Sequence, residues 1–261
     1  MLLRQLVVLY LYISYSRHNY INVNSVKMNR FMLVFVIFLT SDVFAKAQIP
    51  LSARSIKVIR RVNPIVKNKI KEKELTIGNA IFIRIFKEEN KLELWIKNGN
   101  QFQLFHVYPI CYYSGVLGPK IKEGDSQSPE GFYFVKPQNM NPWSSFHLSM
   151  NIRYPNKYDR VHGYTGDYLM IHGACASIGC YAMTNEGIEE IYTIATAALD
   201  NRQNFIRVHV FPFRMTDENM ERYRGNIWFD FWKNLQEGYA WFEKYKIPPN
   251  VEAKMGRYVF N

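Results

Sequence analysis

Residues 169–183 read LMIHGACASIGCYAM and hold a histidine and a cysteine at the two ends of one short loop. The apolar residues before the histidine are typical of a short strand, which delivers His172 and Gly173 to the loop. Cys180 closes the loop just before a segment that predicts a helix. The thiolate is the nucleophilic form of cysteine, and a nearby imidazole both lowers the thiol pKa and moves its proton. This arrangement predicts a cysteine nucleophile with a histidine base.

Two other chemistries fit the same residues. Zinc prefers the ligand types of His172, Cys175 and Cys180, but their H-x2-C-x4-C spacing lacks a paired C-x-x-C. A fourth ligand, such as His162, would have to come from elsewhere. A histidine with small cysteines is also common in a protein core. The nucleophile interpretation is preferred because Gly179 permits a sharp turn directly before the cysteine.

The backbone around the cysteine supplies the next part of the predicted site. The N–H groups of Ile178, Gly179 and Cys180 are expected to converge on the oxyanion that forms when a carbonyl is attacked. The imidazole also needs a group that orients it through its second ring nitrogen. The candidates are a backbone carbonyl near Gly173 and the side chains of His147, Asp159 and His162.

Apolar residues alternate along the chain on both sides of the loop. Strands are predicted at 81–86, 92–96, 102–108, 132–135 and 205–211. The first three predict an antiparallel meander with a tight turn at Asn98-Gly99. After the cysteine, Thr184 or Asn185 is expected to cap a helix with an apolar stripe. The pattern predicts an α+β, β-rich domain.

Helical segments are predicted before and after this domain. Residues 52–75 have helix-like spacing, and Asn63-Pro64 is expected to divide them into two short helices. Near the C-terminus an aromatic stripe predicts a helix that packs on the domain and ends before Pro248-Pro249; it consists of Trp228, Trp232, Leu235, Tyr239 and Phe242. The predicted organisation is an N-terminal segment 1–47, a helical segment 48–78, a catalytic domain 79–213 and a helical C-terminal extension 214–261.

The N-terminal segment predicts export. Residues 28–47 combine a short positive region, an apolar run too short to span a bilayer and an A-x-A cleavage signature ending at Ala47. These features are typical of a secretory signal peptide beginning at Met28, with residues 1–27 as an upstream extension. An uncleaved N-terminal anchor is the alternative. In both cases the rest of the chain is expected outside the cytoplasm.

Size, charge and cysteine content limit the partners. The chain has 261 residues, of which 48% are hydrophobic, and this is enough for a sizeable core. Its formal net charge is +11, and it stays basic without residues 1–47, as suits an anionic surface or polymer. Without an RNP-like motif, zinc-finger spacing or a dense basic run, nucleic acid is not expected as a partner. The odd number of cysteines, 3, leaves at least one thiol unpaired within the monomer.

Two irregular segments are expected to meet the substrate. Residues 114–131 are rich in glycine, proline and serine and form either a flap over the site or a plain connector. Residues 139–166 have little periodicity, and irregular structure of this length in a compact domain usually builds a site. The residues predicted to contact substrate are Ser128, Glu130, Tyr133, His147, Arg153 and Tyr154.

The I-H-G of residues 171–173, followed by S-x-G-C at 177–180, resembles the signature of the YkuD-type L,D-transpeptidases. A longer resemblance, to the YafK-like branch of the murein L,D-transpeptidases, covers residues 81–213 and continues in WKNLQEGYAWFE and GRYV near the C-terminus. It is carried by the strings IFIRIFKEE, SPEGFY, FHLSMNIRYPN, DYLMIHG, SIGCYAMTNEGIEEIY and VFPFRMT. The resemblance implies a β-sandwich or barrel-like catalytic domain with flanking helices.

The resemblance also implies a thioester mechanism on peptidoglycan stem peptides, with no cofactor and no metal. Cys180 matches the family's nucleophile, His172 its base, and Gly173 the carbonyl that orients the base. The L-centre carbonyl of diaminopimelate would acylate the cysteine. The acyl group would then pass to an amine, giving a cross-link or an anchored lipoprotein, or to water. The implied setting is the periplasm of a Gram-negative bacterium, with roles in cell wall organisation and cell shape.

Two departures from the family pattern bear on the reaction. The usual motif is S-H-G-C with a polar residue soon after, whereas Ile178 stands in the place of the second histidine and Tyr181 follows the cysteine. The loop after His172 is also shorter. Transfer to an amine and hydrolysis therefore both stay open, and a non-catalytic wall-binding module is the alternative from another class. Cys175 and Cys180 are further predicted to form a disulfide that silences the enzyme in an oxidising compartment.

Overall fold

The computed structural model describes residues 48–261. The predicted signal peptide and the upstream extension lie outside the described residues. Within residues 48–261, no helix combines the length and the apolar character required to cross a membrane.

Helices and strands are interspersed along the described chain. The helices are α1 (Ala53–Lys71), α2 (Lys157–Val161), α3 (Asn185–Asp200), α4 (Asp217–Arg222) and α5 (Phe229–Tyr245). The strands are β1 (Ile81–Phe86), β2 (Lys91–Asn98), β3 (Gln101–Pro109), β4 (Tyr112–Tyr113), β5 (Gly131–Val135), β6 (Met140–Asn141), β7 (Ser149–Asn151), β8 (Met170–His172), β9 (Tyr181–Ala182), β10 (Ile206–Phe211), β11 (Val251–Lys254) and β12 (Arg257–Phe260). A 3-10 turn, Pro137–Asn139, joins β5 to β6.

These strands form two sheets and a hairpin. The first sheet has the order β3-β2-β1-β10-β5, the second β4-β9-β8-β7-β6, and β11 pairs with β12. The pairs β1–β10 and β8–β9 are parallel, and the other pairs are antiparallel. The predicted meander is confirmed as β1 to β3, and the predicted strands at 132–135 and 205–211 as β5 and β10. The predicted α+β, β-rich class is confirmed.

Strand β1 is buried on both faces, which explains why its sequence IFIRIF has no exposed side. Its isoleucines belong to the main core, which also takes in α1, α3 and the second sheet. On the opposite face Phe86 joins a cluster beneath α5. Arg84 lies on that same face, where it forms a buried ion pair with Glu93 at 2.8 Å. The first sheet is therefore covered on both sides.

Helix α1 runs through Pro64 without a break, so the predicted division into two short helices is wrong. Val58, Val62 and Val66 lie four residues apart and are buried in the main core. A proline inside a helix costs about 3 kcal/mol. Burial of each such side chain contributes about 1.5–3 kcal/mol. The buried stripe therefore outweighs the lost backbone hydrogen bond.

The C-terminal segment contains the predicted helix and an additional hairpin. Trp232, Leu235 and Tyr239 of α5 are buried, as the aromatic stripe predicts. The segment also contains the strands β11 and β12 after α5, which the predicted helical extension did not include. The hairpin is held by tertiary contacts that a short polar stretch does not reveal, among them the stacking of Tyr258 on Tyr158 with ring centroids 4.4 Å apart.

Candidate active site

Adjacent parallel strands bring His172 and Cys180 to one place. His172 is the last residue of β8, and Cys180 directly precedes β9. Ile171 and Tyr181 are partners in this strand pair, so the cysteine lies beside Met170. The histidine and the cysteine line the same cleft, which has a volume of about 700 Å³.

Cys180 is a free, partly exposed thiol. Its Sγ accepts a hydrogen bond from the Met170 N–H at 3.4 Å and donates one to the Tyr168 carbonyl at 3.6 Å. Burial raises the pKa of the thiol, and this effect exceeds the opposing effects of the Met170 N–H and the positive charge of Lys120. The thiol is therefore protonated at neutral pH and needs a base to become nucleophilic.

His172 is held in the tautomer that a base requires. Its Nδ1 lies 2.6 Å from the Gly173 carbonyl oxygen. Because a carbonyl only accepts, Nδ1 carries the proton and the neutral ring keeps its lone pair on Nε2. Burial lowers the pKa of His172, while the bond to Gly173 opposes that shift. The Phe146 ring covers the imidazole, with centroids 4.7 Å apart.

The Gly173 carbonyl occupies the orienting position for which three side chains were alternative candidates. Those side chains are hydrogen-bonded elsewhere: His147 to Glu189, Asp159 to Asn156, and His162 to Tyr158. A Cβ at position 173 would lie 2.7 Å from the Asn185 Oδ1 and 3.0 Å from Ile188, so the close approach of the loop to α3 requires glycine here. The motif glycine thus fixes the loop as well as the base.

Two of the three predicted oxyanion donors have free N–H groups. Among residues 48–261, the N–H groups of Ile178 and Cys180 have no hydrogen-bond partner. The Gly179 N–H donates to the Ser177 Oγ at 3.0 Å, so its inclusion among the donors is corrected. The Ser177 hydroxyl in turn donates to the Cys180 carbonyl at 2.8 Å. Ser177 therefore shapes the turn while the two flanking N–H groups stay available.

Exposed apolar side chains surround the cleft. Trp143 is 66% exposed and Ile178 is 88% exposed, and Phe146 and Tyr168 lie with them along its wall. Large apolar side chains converging on a pocket are typical of a binding site. Sequence reasoning did not select the three aromatic residues. The available signal was that Trp143 and Phe146 fall in the irregular segment 139–166.

Helix α1 holds the segment that carries Phe146. The Arg54 guanidinium donates to the carbonyls of Ser144 and His147 at 2.7 and 2.6 Å. Ser52, the N-cap of the helix, donates to the Pro142 carbonyl at 2.9 Å. These contacts position the cleft wall from a helix that precedes the two sheets in the chain. Nothing in the sequence pattern of α1 indicates them.

The residues predicted in segment 114–131 and β5 support the site from behind. Ser128, Glu130 and Tyr133 are buried and do not line the cleft, so the prediction that they contact substrate is wrong. The Ser128 Oγ donates to the Cys180 carbonyl at 3.1 Å. Glu130 forms a fully buried ion pair with Lys87 at 3.0 Å. This end of the segment folds inward around the pair and supports the site, whereas Lys120, Glu123 and Gly124 of the same segment line the cleft.

The other three predicted contacts fall in two places. His147 is bonded through Nε2 to Glu189 at 2.9 Å, and the Tyr154 hydroxyl donates to the Lys120 carbonyl at 3.0 Å. Neither side chain lines the cleft, and the predicted substrate contact of His147 is corrected. Arg153 and Tyr154 line a second cavity, of about 500 Å³, next to the cleft.

Cys175 is bonded to Cys111 and not to Cys180. The predicted Cys175–Cys180 disulfide is therefore wrong, because the connection between β3 and β4 brings Cys111 to the loop. The same bond removes Cys175 from the zinc interpretation. Among residues 48–261, no group of three or more His, Cys, Asp or Glu side chains is placed to hold a metal ion.

The fold and the cleft define the class of protein. A sequence model described as YkuD, L,D-transpeptidase catalytic domain, matches residues 80–210. The chain belongs to this family, and it is a sheet-rich α+β member of the peptidoglycan-related L,D-transpeptidases.

Within the family the chain is similar to proteins named "Putative L,D-transpeptidase YafK". It is 51% identical over 187 residues to the protein of that name from Escherichia coli (strain K12), covering 72% of this chain and 76% of that protein. The protein of the same name from Escherichia coli O157:H7 matches to the same extent.

Solved structures align with the chain at lower similarity. The helical cell shape determining protein Pgp2 (K307A mutant) from Campylobacter jejuni aligns with a TM-score of 0.44 and 21% identity, over 62% of this chain and 56% of that one. The chain thus spans little more than half the length of that protein. Bd1075 from Bdellovibrio bacteriovorus aligns with a TM-score of 0.40 and 18% identity, over 67% of this chain and 77% of that one.

Proposed function

We propose that the protein is a cysteine L,D-transpeptidase that acts on peptidoglycan stem peptides through a thioester. The observation that carries the proposal is the joint placement of a free Cys180 thiol and a neutral His172 in one cleft. The hydrogen bond from Nδ1 to the Gly173 carbonyl leaves the Nε2 lone pair available for the thiol proton.

In the first half-reaction, Sγ of Cys180 attacks the L-centre carbonyl of diaminopimelate in a stem peptide. Nε2 of His172 takes the thiol proton as the S–C bond forms. The oxyanion accepts hydrogen bonds from the N–H groups of Ile178 and Cys180. The C–N bond then breaks, and the imidazolium returns the proton to the leaving amine, which leaves a thioester on the cysteine.

In the second half-reaction an acceptor attacks the thioester carbonyl and His172 removes the acceptor's proton. An amine acceptor gives a new amide, either a cross-link or an attachment to a wall-anchored lipoprotein. The thiolate leaves and is reprotonated, so the enzyme returns to its starting state.

Hydrolysis is the second candidate, and Ile178 is the observation that favours it. This side chain is 88% exposed at the cleft, in the position where the family usually has a histidine. An apolar side chain offers no hydrogen bond to hold an acceptor amine, so water has less competition for the thioester.

The proposed location is the periplasm, reached through the N-terminal signal sequence. The Cys111–Cys175 disulfide supports this location because disulfides persist in oxidising compartments. The net charge of +11 also suits an anionic wall polymer.

Mass spectrometry of the protein incubated with diaminopimelate-containing muropeptides tests the proposal. We expect a covalent adduct on Cys180 and a peptide product, and we expect both to disappear in Cys180→Ala. Full activity of Cys180→Ala, or no adduct and no product with the wild-type protein, would refute the thioester mechanism. Adding an amine acceptor to the same reaction separates transfer, which yields an amide product, from hydrolysis, which does not.

A further inference from the structure

A second cavity opens beside the catalytic cleft, and we name it the basic annex. Its volume is about 500 Å³, and its charged lining includes Arg153, Lys157 and Arg160. Gly166 and Asp167 line both the annex and the cleft that holds Cys180. A molecule whose carbonyl lies at Cys180 can therefore extend directly into the annex.

The cations of the annex have no acid at ion-pair distance, and the nearest acidic influences are Asp159 on Arg160 and Glu252 on Lys157. Within the part of the chain that the structure describes, Arg153, Lys157 and Arg160 form no ion pair. This concentration of unpaired positive charge in a concave site favours an anionic ligand.

Asp167 is the acidic residue in the annex lining, and it lies at the junction with the cleft. Its Oδ1 accepts a hydrogen bond from the Tyr168 N–H at 2.6 Å. The negative charge is therefore confined to the entrance, and the interior beyond it carries only cations.

The backbone around the annex is shaped to keep it open to the cleft. Gly166 has a φ of +122°, and a Cβ there would lie 2.8 Å from the Lys120 Cε. The junction therefore requires glycine. Arg153 has a φ of +62°, and its guanidinium lies over the Phe134 ring at 5.4 Å from the centroid. The ring limits the motion of this guanidinium without neutralising it.

We propose that the basic annex binds the free carboxylates of the peptide whose carbonyl is attacked by Cys180. This inference rests on the proposed function, because stem peptides carry free carboxylates close to the diaminopimelate carbonyl. Guanidinium and ammonium groups bind carboxylates through charge-assisted hydrogen bonds. The annex thereby orients the peptide so that the L-centre carbonyl faces the thiol.

The test uses a triple variant, Arg153→Gln with Lys157→Gln and Arg160→Gln. Its control is Lys57→Gln with Lys67→Gln and Lys71→Gln, which removes the same charge from the exposed face of α1. We expect the annex variant to raise KM for a tetrapeptide muropeptide about tenfold, with a smaller change in kcat. The control should match the wild type. Because Arg153 has a left-handed backbone, the double variant Lys157→Gln with Arg160→Gln provides a second measurement that leaves it in place.

The chemical counterpart is a muropeptide whose carboxylates have been converted to amides. We expect the wild-type protein to bind this amidated peptide about as weakly as the annex variant binds the native peptide. We also expect the annex variant to bind the native and the amidated peptides with similar affinity. Equal affinity of the wild type for native and amidated peptides would overturn the inference. So would a similar loss in the control variant.

Binding is measured in the Cys180→Ala background by calorimetry, so that the result does not depend on turnover. Carboxylate-dependent binding without any adduct on the wild-type cysteine would refute the proposed reaction and leave the annex assignment standing. If neither the annex substitutions nor amidation of the peptide changes adduct formation, the annex assignment is refuted and the proposed reaction stands.

Discussion

At the scale of single residues, burial acts on Cys180 and His172 in opposite directions and leaves both uncharged at neutral pH. Burial disfavours the charged form of any group, so it raises the pKa of the thiol and lowers the pKa of the imidazole. The proton therefore stays on sulfur until a substrate arrives. This favours general-base catalysis over a preformed pair of thiolate and imidazolium.

The pH dependence of kcat/KM follows from these two shifts. The base must be neutral, and burial places the pKa of His172 below 6.5, so we expect the acid limb of the profile below pH 6.5. Alkylation of Cys180 by iodoacetamide should accelerate only towards pH values above 9, where the thiolate forms. An acid limb above pH 6.5, or rapid alkylation at pH 6, would instead indicate a preformed ion pair.

At the scale of elements, the loop between β8 and β9 is fixed by contacts from distant parts of the chain. Cys175 is tied to Cys111 across a separation of 64 residues. The Ser128 hydroxyl holds the Cys180 carbonyl, and the Met183 N–H donates to the His172 carbonyl at 2.7 Å. A short loop rich in small residues thus gains a defined shape.

Breaking this disulfide should lower activity and stability together. In the chain-entropy view, closing a loop of this length stabilises the folded state by about 4 kcal/mol. We expect Cys111→Ser to lower the midpoint of urea denaturation and to reduce kcat. A reductant should do the same to the wild type and should have no further effect on the variant. Activation by reductant would contradict this assignment and favour the Cys175–Cys180 pair.

The sequence identifies half of the twelve strands within residues 48–261 and the proposed catalytic pair, because alternation and short motifs are local signals. β1, β2 and β3 follow directly from the alternation of apolar residues. The failures involve tertiary contacts. From the sequence, Glu130 is predicted to contact substrate, but it is buried in an ion pair with Lys87. Cys175 is predicted to bond to Cys180, but the fold brings Cys111 beside it. Pro64 predicts a break between two helices, but burial of the valine stripe of α1 outweighs the free-energy cost of a proline inside the helix.

At the scale of the whole molecule, a buried polar network joins three separate parts of the chain. The Lys87 Nζ binds Glu130 and the carbonyls of Val116 and Gly118 at 2.8–3.0 Å. The Trp232 indole of α5 donates to the other oxygen of Glu130 at 2.8 Å. The end of β1, the inward-folded segment and the C-terminal helix are therefore coupled through one carboxylate.

Removing that carboxylate should destabilise the molecule as a unit. We expect Glu130→Gln to lower the free energy of unfolding by about 3–5 kcal/mol, because it leaves the Lys87 ammonium buried without its counter-charge. The matched control is Glu237→Gln, whose partner Arg257 is exposed and whose loss should cost at most about 1 kcal/mol. Urea denaturation followed by tryptophan fluorescence measures both. Equal losses in the two variants would show that the network contributes no more than a surface pair.

The parallel pairing of β1 with β10 has a consequence for the order in which the protein can be assembled. Phe82 pairs with Arg207, so the centre of the first sheet stays open until nearly all of the chain up to Phe211 has been synthesised. A chain that stops before β10 would present the unpaired edge of β1 to other molecules, which is the geometry that promotes aggregation. Cys180, the proposed nucleophile, precedes β10 and is therefore made before the first sheet is complete. A premature stop after Cys180 would yield a reactive thiol without a working site, and we expect such fragments to be insoluble rather than partly active.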